Sequence, residues 1–330
     1  MLLTGHEHIA VTGAAGFVGS HLVRHLVGRH FKVRAVINRS SLPEDLQNHP
    51  LVEERTGSIT DRSAMDHCLE GIDVLFHLAT ALGNRIITDN EFFNINREGT
   101  KTVLDAAVQC GVKKTIHYSS AGVYGKSSGL MVQKEDDPLN PVDVYERSKL
   151  AGEEVALSFS QRMDIVVLRP GWVYGEGDRR TFKLIKQINS GLFFIAGSGK
   201  INHSPIYVED LVKASVLAVD KGENGAIYNV GFEMVPVEAM VEAIANSLSK
   251  RIFPFKIPIW MVYPPAFLLG KLFGVVGKEA PVSPAKLAFF MRGKPLDSTK
   301  LSKDFGFESF TSFAAGIERT VSWYRQNGWL

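Results

Sequence analysis

Residues 8–28 read HIAVTGAAGFVGSHLVRHLVG, and the changes of pattern inside this stretch decide the fold. His8–Thr12 is short, apolar and partly β-branched, as a buried strand is. Gly13, Gly16 and Gly19 follow, and from Phe17 to Gly28 apolar residues recur at helical intervals. Gly13 permits the tight turn, Gly16 lets backbone approach a pyrophosphate, and Gly19 lets the helix pack on the strand. The free N–H groups and dipole of the helix, which opens with Phe17 and Val18, attract phosphate. Strand, glycine turn and helix in that order point to a dinucleotide.

Working outward, strand-like runs recur at Phe31–Ile37, Leu51–Arg55, Asp73–His77, Lys113–Tyr118 and Asp164–Leu168. Helical stretches lie between them, one capped by Asp61, one over Asn90–Gln109 and one over Val142–Arg162. This alternation predicts an α/β fold, a Rossmann-type doubly wound parallel sheet covered on both faces. Past Arg169-Pro170, glycine-rich turns break the rhythm. A strand at Ala226–Val230, a helix at Val237–Ser249 and an amphipathic helix at Phe313–Asn327 are still legible. The expected organisation is a nucleotide-binding domain over 1–170, with returning segments near 206–231. A smaller, interleaved C-terminal substrate lobe then takes 171–205 and 232–330.

Composition narrows the function classes. The chain has 330 residues, 45% hydrophobic and 22% charged, which suits a globular protein with a sizeable core. Its net charge of +2 gives no support to nucleic-acid binding through phosphate neutralisation. Cys68 and Cys110 lack metal-ligand spacing and read as reduced core thiols, which suggests a cytoplasmic protein. The ten histidines are scattered, and no metal site is expected. Ile257–Gly270 is apolar but too short to cross a bilayer and contains three prolines; peripheral association remains open.

The second strand ends in Ile37-Asn38-Arg39-Ser40, with no carboxylate to grip an adenosine ribose. Arg39 could pair with a ribose phosphate instead, so NADP is expected in preference to NAD. Tyr145-Glu146-Arg147-Ser148-Lys149 places a phenol and an ammonium one helical turn apart. A phenol needs a neighbouring cation to act as a base near neutrality, and Lys149 is expected to stabilise the phenolate and to hydrogen-bond a nicotinamide ribose. Ser120 follows a strand, where its hydroxyl could hold a substrate oxygen beside Tyr145.

With these residues in order, the chain resembles the extended short-chain dehydrogenases/reductases of the epimerase/dehydratase superfamily. TGAAGFVGSHL is similar to the family's opening loop, and the stretch holding Ser58 and Ile59 to the segment that meets adenine. Phe76-His77-Leu78-Ala79-Thr80 resembles its fourth-strand motif, and Asn96-Arg97-Glu98-Gly99-Thr100 its structural asparagine helix; the resemblance implies that Leu78, Ala79, Thr80, Asn96 and Pro170 meet the cofactor. YSSAGVYG, YERSK, RPGWVYGEGD (which contains Pro170) and Tyr207-Val208-Glu209-Asp210 complete the series. The resemblance implies hydride transfer with a nicotinamide. It makes Tyr145 the acid/base, Lys149 its electrostatic partner and Ser120 the oxygen-positioning donor. It also implies a homodimer.

Within that family the chain resembles the hydroxysteroid and dihydroflavonol-reductase branch. Trp172 stands where sugar-nucleotide enzymes typically have Asn, and His203 near the place of a diphosphate-binding Arg. Ala121-Gly122 follow the serine where dehydratases have acids. The apolar stretch Phe253–Phe273, with Trp260 and Tyr263, is expected to cover a lipophilic substrate as short, proline-broken pieces. A nucleotide-sugar epimerase or dehydratase is the alternative, and a non-catalytic NADP-binding scaffold a second.

Overall fold

Every residue of Ile9–Thr12 (β1) is buried, which is why the run carries no polar alternation: helices cover both faces. The computed structural model describes residues 3, 7–82, 87–125, 131–191, 193–251, 255–275, 284–307 and 310–330; Phe253 lies outside these. The glycine turn leads into Phe17–Gly28 (α1). Next come Val33–Ile37 (β2), Val52–Thr56 (β3), Arg62–Leu69 (α2) and Val74–His77 (β4). Asp89–Phe93 (α3), Gly99–Gln109 (α4), Lys114–Tyr118 (β5), Val144–Ser158 (α5) and Asp164–Pro170 (β6) follow.

Beyond β6 lie Trp172–Tyr174 (β7), Arg179–Asn189 (α6), Ile195–Ala196 (β8), Asn202–His203 (β9), Pro205–Tyr207 (β10) and Val208–Lys221 (α7). Ala226–Val230 (β11) then returns to the sheet beside β6. Seven parallel strands are arranged β11-β6-β5-β4-β1-β2-β3, the Rossmann-type order. On one face, Val11, Ile116 and Leu168 pack against Leu22 and Leu26 of α1 and Leu211 and Val212 of α7. On the other, Ala10, Leu75 and Val167 meet Met65 of α2, Val103 and Leu104 of α4, and Ala156 of α5. Burying each such side chain contributes about 1.5–3 kcal/mol.

The second lobe is built from Val235–Pro236 (β12), Val237–Ser247 (α8), Lys256–Ile257 (β13), Ile259–Val275 (α9), Pro284–Met291 (α10), Thr299–Phe305 (α11) and Phe313–Gln326 (α12). Its main core joins Ile185 and Ile188 of α6 to Met240 and Ile244 of α8 and to Ile317 and Val321 of α12. Short strand pairs β7/β10, β9/β12 and β8/β13 brace it.

Three expectations need correction. The proline-rich stretch is one 17-residue helix, α9, with Pro264 and Pro265 inside it. The helix expected over Asn90–Gln109 is not regular: Asn94–Glu98 forms a π turn between α3 and α4. Cys68 is a buried thiol as expected, but Cys110 is only half-buried at the end of α4.

Candidate active site

Because the strands of the sheet are parallel, the turns that follow them open on a single edge. Strand order reverses between β1 and β4, which leaves a crevice at their carboxyl ends. To that edge the fold brings Gly13–Gly19 after β1, Asn38 and Arg39 after β2, and Ser58 and Ile59 after β3. It also brings Leu78, Ala79 and Thr80 after β4, Ser120 after β5, and Pro170 at the end of β6.

The glycine loop fits a dinucleotide. Gly13 stands at φ +72°, and a Cβ there would lie 2.9 Å from the Ala79 amide nitrogen; one at Gly19 would lie 2.2 Å from the Gly13 carbonyl. The first turn of α1 has no side-chain cap and no acidic residue. By contrast, Asp61, Asp143 and Asp178 cap α2, α5 and α6 with their carboxylates. The α1 amides of Phe17, Val18 and Gly19 are thus left to an outside anion, the arrangement that holds a pyrophosphate. Asn38 and Arg39 are both exposed at the end of β2.

Tyr145 and Lys149 sit one turn apart on α5, whose start is fixed by Asp143 accepting from the Glu146 amide at 2.8 Å. Ser120 opens a 3-10 turn over Ala121–Tyr124, accepts from the Gly122 amide at 3.0 Å, and its hydroxyl acts on that of Tyr145, favouring the phenolate. Lys149 is buried and donates from Nζ to the Tyr118 carbonyl at 2.6 Å.

Burial pushes the Tyr145 hydroxyl above its ordinary pKa, against the opposing pull of the Arg180 guanidinium and the Ser120 hydroxyl. This differs from the expectation that Lys149 would lower it. The ammonium is drawn to the Tyr118 carbonyl, and the phenol is protonated at neutral pH. Burial pushes Lys149 down to about 8, partly countered by Glu153. Lys149 therefore folds as an unwillingly charged group below pH 8 and as a neutral one above it. A depressed lysine pKa adds stability as pH rises from the folded value toward 10.5. Relative to Lys149→Met, the parent is expected to gain about 3 kcal/mol of unfolding free energy between pH 7 and 10.5, since one pKa unit is about 1.4 kcal/mol. Denaturant unfolding of both proteins across that range checks it; parallel pH curves would refute the buried ammonium.

A buried hydrogen-bond chain links β1, β4, the 80–81 loop and α5. Thr100 Oγ1 donates to the Asn96 carbonyl at 2.7 Å, so it must accept from His77 Nε2 at 3.1 Å. His77 Nδ1 then accepts from Thr12 Oγ1 at 2.8 Å, and the imidazole is neutral, held down to about 3 by burial and then by Lys149. Asn96 Nδ2 donates to Ser148 Oγ at 2.8 Å, and Ser148 Oγ to the Tyr145 carbonyl at 2.9 Å. Asn96 Oδ1 accepts from Thr80 Oγ1 at 2.8 Å and from the Ala81 amide at 2.7 Å. The Asn96 side chain, expected to meet the cofactor, is buried and engaged by the protein's own groups. It positions the 80–81 loop and α5.

Glu146, next to Tyr145, forms an ion pair with Lys294, which also donates to the Gly122 carbonyl at 3.4 Å. The second lobe is thereby tied to both the serine turn and the tyrosine helix. Arg180, at the start of α6, exerts a downward electrostatic pull on Tyr145 and lies 3.8 Å from the Asp178 carboxylate. Sequence reading named neither Lys294 nor Arg180. Lys294 lies 148 residues from its partner with no local pattern to betray it. His77 and Thr12 had a signal, as paired last residues of adjacent strands.

Trp172 and His203 come together around Phe289. The indole meets that ring edge-on at 5.4 Å, and the imidazole stacks on it at 4.4 Å. His203 Nε2 donates to the Phe289 carbonyl at 2.9 Å, and burial holds its pKa down. Trp260 and Tyr263 are not gathered with Ser120, Tyr145 and Lys149. Both stand exposed on α9, while Val262 and Ala266 take its buried positions.

The sequence pattern of the NAD dependent epimerase/dehydratase family matches residues 9–231. The N-acetyl-alpha-D-glucosaminyl-diphospho-ditrans,octacis-undecaprenol 4-epimerase of Escherichia coli O157:H7 is 27% identical, over 96% of this chain and 95% of its own. The sterol-4-alpha-carboxylate 3-dehydrogenase, decarboxylating, of Mus musculus is 27% identical, over 94% of this chain and 89% of its own. Among solved structures, MoeE5 in complex with UDP-glucuronic acid and NAD superposes with a TM-score of 0.77 at 28% identity, covering 97% of this chain and 99% of that one. The order of the strands, the uncapped glycine loop and the serine turn facing the Tyr145–Lys149 helix agree with these likenesses: the chain is an enzyme that belongs to the NAD-dependent epimerase/dehydratase family, among the extended short-chain dehydrogenases/reductases.

Proposed function

We propose that the protein interconverts a secondary alcohol and a ketone in a lipophilic molecule, with NADP(H) preferred to NAD(H). When bound, the nicotinamide supplies or takes up the hydride. Gly13, Gly16 and the α1 amides would hold the phosphates, Arg39 the ribose phosphate and Lys149 the nicotinamide ribose. Ser120 orients the substrate oxygen against Tyr145. Because Tyr145 is protonated at neutral pH, it gives its proton to that oxygen during reduction and recovers one during oxidation.

The observation that carries the lipophilic reading is the uncharged aromatic wall of Trp172, Phe289 and His203. His203 has spent its Nε2 proton on a backbone carbonyl and has a lowered pKa, so it offers a diphosphate no charge. One observation favours a nucleotide sugar instead: the exposed Arg180 guanidinium, whose charge acts on Tyr145, would suit a phosphate or a carboxylate.

Calorimetry with NADPH and NADH, on the parent and Arg39→Ala, followed by turnover of steroid and flavonoid ketones against UDP-sugars, tests both parts. Charge-assisted pairing contributes about 1.5–3 kcal/mol, so Arg39→Ala is expected to weaken NADPH roughly tenfold to a hundredfold and to leave NADH nearly unchanged. Equal affinity of the parent for both cofactors sinks the NADP assignment. Turnover of a UDP-sugar with none of any ketone sinks the substrate class.

A further inference from the structure

A surface helix normally turns its apolar stripe inward and its polar residues out. In α9 the inward stripe is present at intervals of three and four, Ile259, Val262, Ala266, Leu269 and Phe273. Val262 and Ala266 on it are buried against Ala196 and Leu287. The outer side is apolar as well. Trp260 is 72% exposed, Leu268 59%, Leu272 57% and Met261 52%, with Phe267 and Tyr263 also open. Such a contiguous apolar face, already packed on its inner side, marks a docking surface.

Charge identifies what covers it. Between Glu242 and Glu279 the sequence contains no acidic residue, while Lys250, Arg251, Lys256, Lys271 and Lys278 are cationic. Lys256 pairs with Glu238 from α8, whereas Lys271 lies along the apolar face, its Nζ 4.7 Å over the Phe267 ring. A lysine stem that follows apolar surface to a charged tip suits a boundary between hydrocarbon and headgroups. Pro264 and Pro265 leave the Trp260 and Met261 carbonyls without their helical donors, which water or headgroups can supply at such a boundary. A second copy of the chain fits poorly, because two-fold pairing would set these cations against the same cations. We propose that α9 lies in the plane of an anionic lipid bilayer, with Trp260, Phe267, Leu268 and Leu272 in the acyl boundary and Lys271 among the headgroups. At 17 residues the helix is too short to span, and its inner stripe holds it to the protein. The inference does not depend on which substrate the enzyme turns over.

The full-length protein is sedimented with vesicles of phosphatidylcholine alone and of phosphatidylcholine with phosphatidylglycerol. Binding is expected only with phosphatidylglycerol present, with a blue shift of tryptophan emission that Trp260→Phe removes. Phe267→Glu with Leu268→Glu is expected to lower the vesicle partition coefficient about tenfold or more. Both positions are exposed, and circular dichroism melting verifies the fold. No binding to phosphatidylglycerol vesicles overturns the proposal. So does binding that salt abolishes but the double substitution leaves intact, because it would then be surface charge without insertion. A parent that forms dimers, which the double substitution splits, and that ignores vesicles would make the face a contact between copies.

Discussion

Tyr145→Phe is expected to lower turnover about 10²–10⁴-fold, the range attributable to a positioned acid/base, while leaving cofactor affinity within about twofold. The hydroxyl is the group that Ser120 influences at the carboxyl edge of the sheet, and the ring would still fill its place. The pH dependence adds a sign. Burial raises the phenol, so reduction, which needs the proton on, is expected to be level through neutrality. Oxidation needs the proton off, and is expected to climb steadily with pH without reaching a plateau below about 10, the ordinary phenol value. Steady-state rates in both directions, with parent and variant, decide this. A Phe variant keeping a tenth of parental turnover would remove Tyr145 from the chemistry.

The largest stability effect is expected at Glu153 and Arg169. Both side chains are almost wholly buried, and the guanidinium meets the carboxylate twice, at 2.5 and 3.1 Å. It also donates to the Tyr124 hydroxyl at 2.8 Å and to the Glu135 carbonyl at 2.9 Å, and Tyr124 in turn donates to Asn229 at 2.7 Å. These contacts stitch α5, β6, β11 and the turn after Ser120 together. Removing one charge strands the other, so Glu153→Gln is expected to cost about 3–5 kcal/mol in urea unfolding. Arg169→Met combined with Glu153→Leu should cost clearly less than the two single changes added together. A loss under about 1 kcal/mol for Glu153→Gln would show that the pair does not hold the core.

What was legible in the sequence was local. The β1 turn, the Tyr145–Lys149 spacing and Ser120 after β5 each occupy a few consecutive residues whose chemistry and period point the same way. The helices α6 and α7 escaped notice for opposite reasons. In α6 the glycines on either side disguised a clear Phe182, Ile185 and Ile188 spacing. In α7, residues such as Leu211, Val212, Ala214 and Val216 are buried almost all round, which blurs the helical period. Prolines in α9 were read as breaks, yet a helix packed along its other side tolerates the lost donors. The Lys294–Glu146 tie and the Arg180 influence belong to tertiary structure alone. No window along the chain contains both partners.

The π turn at Asn94–Glu98 makes chain length itself part of the active site. Such a turn accommodates one residue more than an α-helix advancing the same distance. Deleting any one of the five would let α3 and α4 fuse into a regular helix, and every side chain on one side of the cut would swing by about 100° around the axis. Depending on the side that turns, Asn96 would then leave Ser148 and Thr80, or Thr100 would leave His77. Asn94 and Arg97 are exposed, and substitutions there should be harmless, but a shorter or longer chain at the same place should not. Through evolution the segment can vary freely in its outward letters and hardly at all in their number.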